Sequence, residues 1–303
     1  MSWTALIPPL LALGFAPLLP GIINRTKAKC AGRDGPPLRQ AYFDLWKLLH
    51  KGAVYSPTAS WVFRAGPVLG LAAVITALAV APWGGFPALA GFRGDWVFLA
   101  CLLGLRRFLA VLAALDTGSS CAGMGASRAI HFSALAEPAL FLALAVVARK
   151  TGPYSLAEMF ASLSPWHWVQ SGSALALAAG ALFIVCLADN SRLPVDDPDT
   201  QREPAMIHEA MVLDHGGPDL AFLFYGAALK LWVLGSVLVS LVFPVHPGPW
   251  WADALLALGG MLALAVVIGV VESVMARLRM LMVPQLLVGA TALGVLALLL
   301  IAR

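Results

Sequence analysis

The sequence predicts an all-α protein, a polytopic membrane bundle of about eight transmembrane helices forming one integral domain over residues 1–303. Three observations carry that fold class. The chain is 60% hydrophobic and 12% charged, with a mean hydropathy of +0.84, far outside the range of soluble globular domains. It contains apolar stretches of the length that crosses a hydrocarbon core, roughly 20 helical residues for about 30 Å. Its Lys and Arg residues fall in alternate connections, as the positive-inside rule requires.

The predicted spans are Trp3–Ile23, Gly66–Pro82, Asp95–Leu115, Arg128–Ala148, Val169–Ala188, Leu220–Phe243, Trp250–Ser273 and Met280–Ala302. The first is punctured by Pro8, Pro9, Gly14, Pro17 and Pro20, which membrane helices tolerate where neighbours satisfy the freed backbone groups. It has no basic residue before it, unlike a cleaved signal peptide. The loop 24–65 carries Arg25, Lys27, Lys29, Arg33, Arg39, Lys47, Lys51 and Arg64, which places it in the cytoplasm. Alternation from there puts thirteen Lys/Arg at the cytoplasmic loops and their span edges, four on the other side and three within spans. Both termini then face outward.

Within that first loop, Arg39–Lys51 reads as an amphipathic helix, with Tyr42, Leu45, Trp46 and Leu49 on one face and Gln40, Asp44, Lys47 and Lys51 on the other. It suits either the membrane surface or a solvated helix packed on the bundle. The uncharged segment Gly118–Gly125 suits close packing at the cytoplasmic end of the fourth span. The net charge of +4 follows from topology and gives no reason to expect nucleic acid as a partner. Cys30, Cys101, Cys121 and Cys186 are isolated, without the paired spacing of a cluster or zinc site, so the chain is expected to hold no cofactor of its own.

Ionisable residues inside spans are costly and point to function. Arg106 and Arg107 lie mid-span in the third segment, where Arg106 snorkels in one reading. Glu137 lies in the fourth, too deep for a short side chain to reach water, and Lys230 lies in the sixth. Glu137 and Lys230 are candidates for proton exchange or for an ion pair. Glu272 stands near the inner end of the seventh span, with Arg277 close by as a candidate partner. The second long loop, 189–219, holds eight of the chain's sixteen acidic residues. Asp189, Arg192, Asp196, Asp197, Glu203, Glu209 and Asp214 crowd carboxylates and a guanidinium together, and such carboxylates titrate as a coupled set. His208 and His215 beside Glu209 and Asp214 match no metal-binding spacing, so no metal is expected.

The strings Asp189–Asp197 and Met206–Gly216 resemble the loop between spans five and six in the complex I subunit 1 family. Val195-Asp196-Asp197-Pro198 and Ile207-His208-Glu209-Ala210-Met211-Val212-Leu213-Asp214 are similar to the membrane subunit of group 4 energy-converting nickel-iron hydrogenases, the formate hydrogenlyase and hydrogenase-4 branch. Quinone-reducing members read Arg-Ala/Val-Pro-Phe-Asp where this chain has Leu193 and Val195. The resemblance extends through Arg25–Lys51, Asp116–Leu140, Leu229–Leu234 and Val271–Leu287. Pro204 departs from the branch, which has leucine there.

The resemblance implies a membrane-coupling subunit in the prokaryotic inner membrane. Hydrogenase small and large subunits, carrying iron–sulfur clusters and the nickel–iron centre, would dock on its cytoplasmic face through Asp189, Arg192, Asp196, Asp197 and Asp214. A proton path through Glu209, Glu203 and Glu137, with Lys230 and Glu272 as further members, would lead to antiporter-like membrane subunits. Gly125 and Ser127 match the stretch around the fourth-span glutamate. The alternative is a quinone-binding subunit of a complex I-like oxidoreductase, with quinone as its ligand. A self-sufficient ion transporter and a passive anchor are rivals of other classes; the lack of an internal repeat counts against the former.

Overall fold

A computed structural model describes residues 3–57, 59–193, 211–244, 248–275 and 282–302 in full, and 195–196 and 278–279 as backbone. Long apolar runs become helices because each satisfies its own backbone groups where no water is available. In chain order they are α1 (Ile7–Phe15, entered by the 3-10 turn Trp3–Leu6), α2 (Leu18–Cys30), α3 (Gln40–Leu49), α4 (Trp61–Val80), α5 (Asp95–Asp116), α6 (Ser120–Thr151), α7 (Leu156–Ser162), α8 (Pro165–Asp189), α9 (Gly217–Val242), α10 (Trp250–Val274) and α11 (Met282–Ala302). Among the described residues seven of these are long and apolar enough to cross a membrane, and α1 with α2, bent by 47°, brings the count to eight if the pair is one span. The chain is a multi-pass membrane protein. One face of the bundle, the loop face, carries the described segments 31–57, 190–193 and 211–216 and the paired backbones 195–196 and 278–279.

The first span differs from the continuous helix expected over Trp3–Ile23. Pro17 lacks the N–H that would bond the Leu13 carbonyl, so the helix breaks there. Two tyrosines from other elements replace what is lost. The Tyr225 hydroxyl of α9 donates to the Leu13 carbonyl at 2.9 Å, and the Tyr42 hydroxyl of α3 donates to the Gly14 carbonyl at 2.5 Å. Burial raises the Tyr42 pKa above the ordinary phenol value.

The surface helix α3 is rotated from its expected setting. Packing on α2 and α9 turns Ala41, Tyr42, Leu45 and Leu48 inward, while Trp46 (68% exposed), Leu49 and Phe43 face away from the bundle. The segment Gly118–Gly125 is mostly helix, because α6 starts at Ser120 and runs 32 residues. That is about 48 Å at 1.5 Å per residue, well beyond a hydrocarbon core of about 30 Å.

Helix α9 is the central pillar, buried along almost all its length from Ala228 to Leu241. It packs on α4, α10 and α8, while α11 closes the far side against α6 and α8. At the loop face the backbones of Val195–Asp196 and Leu278–Arg279 pair in parallel, tying the start of the acidic segment to the α10–α11 connection. At its other end His215 stacks flat on Phe63, with centroids 4.0 Å apart and planes 2° apart. Gly217 follows in a left-handed conformation (φ +56°), where an added Cβ would lie 2.8 Å from the Lys51 carbonyl oxygen. Only glycine allows the two long loops to approach so closely.

Candidate functional site: an ion-pair chain inside the bundle

Helix α8 ends at Asp189, and that end lies well inside the bundle. Arg107 meets it about 14 Å below the loop end of α5, and Lys230 meets it about 20 Å into α9, counting 1.5 Å per residue. The Asp189 side chain is 7% exposed. Its carboxylate accepts from the Arg107 guanidinium and lies 3.5 Å from the Lys230 ammonium. Lys230 also donates to the backbone carbonyl of Asp189, a favourable position for a cation at a helix C-terminus.

The other arm of Arg107 donates to Glu137 of α6 at 3.0 Å. One guanidinium therefore holds two carboxylates on different helices, using a separate nitrogen for each. Charges taken this far from water need such partners, since an unpaired one would face the full desolvation cost. The chain of contacts runs Glu137, Arg107, Asp189, Lys230. A small cleft lined by Gly104, Ala136, Leu140 and Val185 runs along it from Glu137 to Asp189.

Three residues further on, Arg192 approaches a second group. Glu272 of α10, whose side chain is 4% exposed, lies 2.7 Å from the Lys27 ammonium of α2 and 3.6 Å from Arg192. Neither carboxylate oxygen meets hydrogen-bond geometry, so this contact is one of charge rather than of aligned donors.

Several residues picked from the sequence sit otherwise than expected. Glu137 is not sealed in the core: its side chain is 45% exposed on the outside of the isolated chain. Lys230 pairs with Asp189 rather than with Glu137, because the end of α8 comes between them. Asp189, expected on the docking face, is buried among cations, and Arg192 turns toward Glu272. Glu272 takes Lys27 as its partner, while Arg277 lies outside the described residues. Arg106 is buried at 7% exposure and does not snorkel. Asp214 is exposed at the loop face. Gly125 is buried in α6, and the Ser127 hydroxyl bonds the Met124 carbonyl of its own helix. Asp196 is described as backbone alone; Asp197, Glu203, Pro204, His208 and Glu209 lie outside the described residues. Among the described residues no cluster of three or more His, Cys, Asp or Glu is placed to hold a metal ion.

The sequence marks Arg107 as an intramembrane charge but singles out neither it as a bridge nor Lys27 as the partner of Glu272. Arg107 is one half of an arginine pair, and helix rotation decides which member meets the carboxylates. Lys27 looked like one more basic loop residue, and its partner is 245 positions away.

The whole helical stretch, residues 4–302, matches the NADH dehydrogenase family. The chain belongs to that family, the complex I subunit 1-like group. It is 30% identical over 294 residues to formate hydrogenlyase subunit 4 of Escherichia coli (strain K12), covering 93% of this chain and 92% of that one. It is 32% identical over 241 residues to hydrogenase-4 component C of the same organism, covering 79% and 75%. Identity to an NADH-quinone oxidoreductase subunit of Polaromonas sp. (strain JS666 / ATCC BAA-500) is 25% over 235 residues, covering 72% of this chain and 64% of that one. Its fold matches a chain in the structure of the membrane-bound sulfane sulfur reductase, an archaeal respiratory membrane complex, with a TM-score of 0.82 over 97% of this chain and 98% of that one at 24% identity. As a family member it is a membrane subunit of an oxidoreductase complex, and its relatives work as parts of multi-subunit assemblies.

Proposed function

We propose that this chain is the membrane-coupling subunit of an energy-converting nickel–iron hydrogenase complex in a prokaryotic inner membrane. In this reading the loop face is cytoplasmic and both termini face outward. Hydrogenase small and large subunits dock on the loop face, and antiporter-like subunits lie beside it in the membrane. Iron–sulfur clusters and the nickel–iron centre belong to those partners, and this chain contributes side chains alone.

The observation that carries the reading is the Arg107 bridge between Glu137 and Asp189. It joins a half-exposed intramembrane carboxylate to the point where α8 gives way to the acidic segment. A charge change in a partner near Glu203, Glu209 or Asp214 alters the electrostatic balance at Asp189, and Arg107 passes that change to Glu137. Protons, or sodium ions, are then taken up or released on the side where Glu137 is exposed. Lys230 holds the inner end of this chain. Glu272, itself paired with Lys27, holds Arg192 as the segment leaves α8.

The test uses membrane vesicles carrying the intact complex. Glu137→Gln should leave hydrogen turnover measurable while abolishing the ion gradient it generates. An undiminished gradient per hydrogen turned over would rule out the relay role.

A further inference from the structure

Arg106 stands next to the relay and takes no part in it. Successive helical residues point about 100° apart, so Arg106 and Arg107 have separate surroundings. Its side chain is 7% exposed, and among the described residues it donates no hydrogen bond and forms no ion pair. It lines a narrow cleft between α4, α5 and α9, walled by Gly66, Gly70, Ala110, Phe222 and Leu223. None of those walls carries a charge, and the cleft admits about one water-sized atom.

A guanidinium keeps its charge and all five donors whatever its surroundings. Leaving it in a low-dielectric interior with no acceptor is far costlier than burying a neutral donor. The local charges do not cancel. Arg106, Arg107 and Lys230 give three cations against the two carboxylates Glu137 and Asp189, leaving one positive charge. Both carboxylates are already engaged by Arg107 or Lys230.

The geometry points to the Arg106 cleft as a binding site for a single anionic acceptor atom. Its size and apolar walls suit a chloride-sized monoanion, or one phosphate oxygen of a lipid headgroup reaching in from the bilayer. The guanidinium lies against Gly226 of α9, where an added Cβ would stand 3.6 Å from its Nε and 3.7 Å from Nη2, while Gly70 of α4 faces the Cγ of the same side chain. The site adds an anion to the coupling role proposed above, and the Arg106 charge belongs to the same local balance as Asp189 and Lys230.

The test uses the full-length chain with its copurifying subunits, stripped of lipid in a non-ionic detergent. Melting is followed in sodium chloride and in sodium gluconate at equal ionic strength, which holds general screening constant. The same preparation is then supplemented with phosphatidylglycerol in gluconate. If the anion is free chloride, chloride raises the melting temperature by about 3 °C or more, a shift that single-site linkage readily supplies. If it is a lipid phosphate, the lipid gives that rise and chloride does not. Arg106→Met should fold, since it replaces an uncompensated buried charge with an apolar chain of similar reach, and should lose whichever response the native chain shows. Arg106→Lys should keep it. The inference is overturned if the native chain responds to neither addition, or if Arg106→Met responds as the native chain does. Should Arg106→Met not accumulate, Arg106→Gln, which keeps polar donors without the charge, takes its place, and a response equal to the native chain's overturns the inference.

Discussion

Asp95 and Asp189 are both nearly inaccessible carboxylates at helix ends, the first away from the loop face and the second inside the bundle, and they are held in opposite ways. Asp95 accepts from the Leu156 backbone N–H at 2.6 Å and the Ser155 hydroxyl at 2.9 Å, so neutral donors hold it. It fastens the start of α7 to the start of α5. Asp189 is held by Arg107 and Lys230, two cations from separate helices. Neutral donors fix a position, whereas cations also register changes of charge nearby. The first arrangement is a clasp. The second can transmit.

That contrast is broken most severely at Asp189. Asp189→Ala leaves Arg107 and Lys230 without their shared acceptor, and losing one partner of a buried pair costs about 3 to 5 kcal/mol. A large fall in melting temperature of the purified complex is expected, and a loss under 1 kcal/mol would mean that water already carries these charges. Asp95→Asn is the matched control. It retains an oxygen to accept from the Leu156 N–H, while its amide NH2 takes the other carboxylate oxygen's place and donates to the Ser155 hydroxyl, so the loss should be about 1 to 2 kcal/mol with ion coupling intact. Loss of coupling in Asp95→Asn would erase the distinction between clasp and relay.

A smaller effect is expected at the break in the first span, another site held by neutral donors. Tyr225→Phe removes the hydroxyl on the Leu13 carbonyl, which Pro17 cannot serve, at a cost of about 1 kcal/mol. Restoring the chain's own donor by Pro17→Ala in the Tyr225→Phe background should recover part of that stability in a melting series.

The smallest effect concerns His215. Burial lowers its pKa below the ordinary 6.5, against the opposing pull of Asp219 and Asp214. Above pH 6.5 the packed and released states are both neutral, and the shift contributes nothing. As pH falls below 6.5 the released ring takes up a proton that the packed ring resists, so the stack on Phe63 weakens. The protection of residues 211–219 from hydrogen exchange, taken relative to the intrinsic rate at each pH, should therefore fall on acidification. His215→Phe, which keeps a ring on Phe63 but cannot titrate, should flatten the trend.

The spans were legible because about 20 apolar residues in a row have few other folds available. Depth and rotation were not. Sequence places Asp189 at the end of the fifth apolar run, and an end reads as a surface. Only the packed bundle sets that end level with the middle of α5 and α9. Glu137 reads as deeply buried by counting along α6, yet the direction of its side chain depends on which neighbours cover α6. Trp46 joins the inward face of α3 on a helical wheel, but contact with α2 and α9 selects a different rotation. The pairing of Lys27 with Glu272 has no local signal at all, since it arises from the packing of α2 on α10.

Lys230 holds the end of α8 twice, through the Asp189 carboxylate and through the backbone carbonyl of the same residue. Protonation of Asp189 removes the charge from the first hold, whereas the carbonyl oxygen that accepts in the second takes up no proton. A proton arriving at Asp189 would thus slacken one tether and leave the other taut. Charge and scaffold are separable at this residue, so the signal can come and go without setting the helix end adrift.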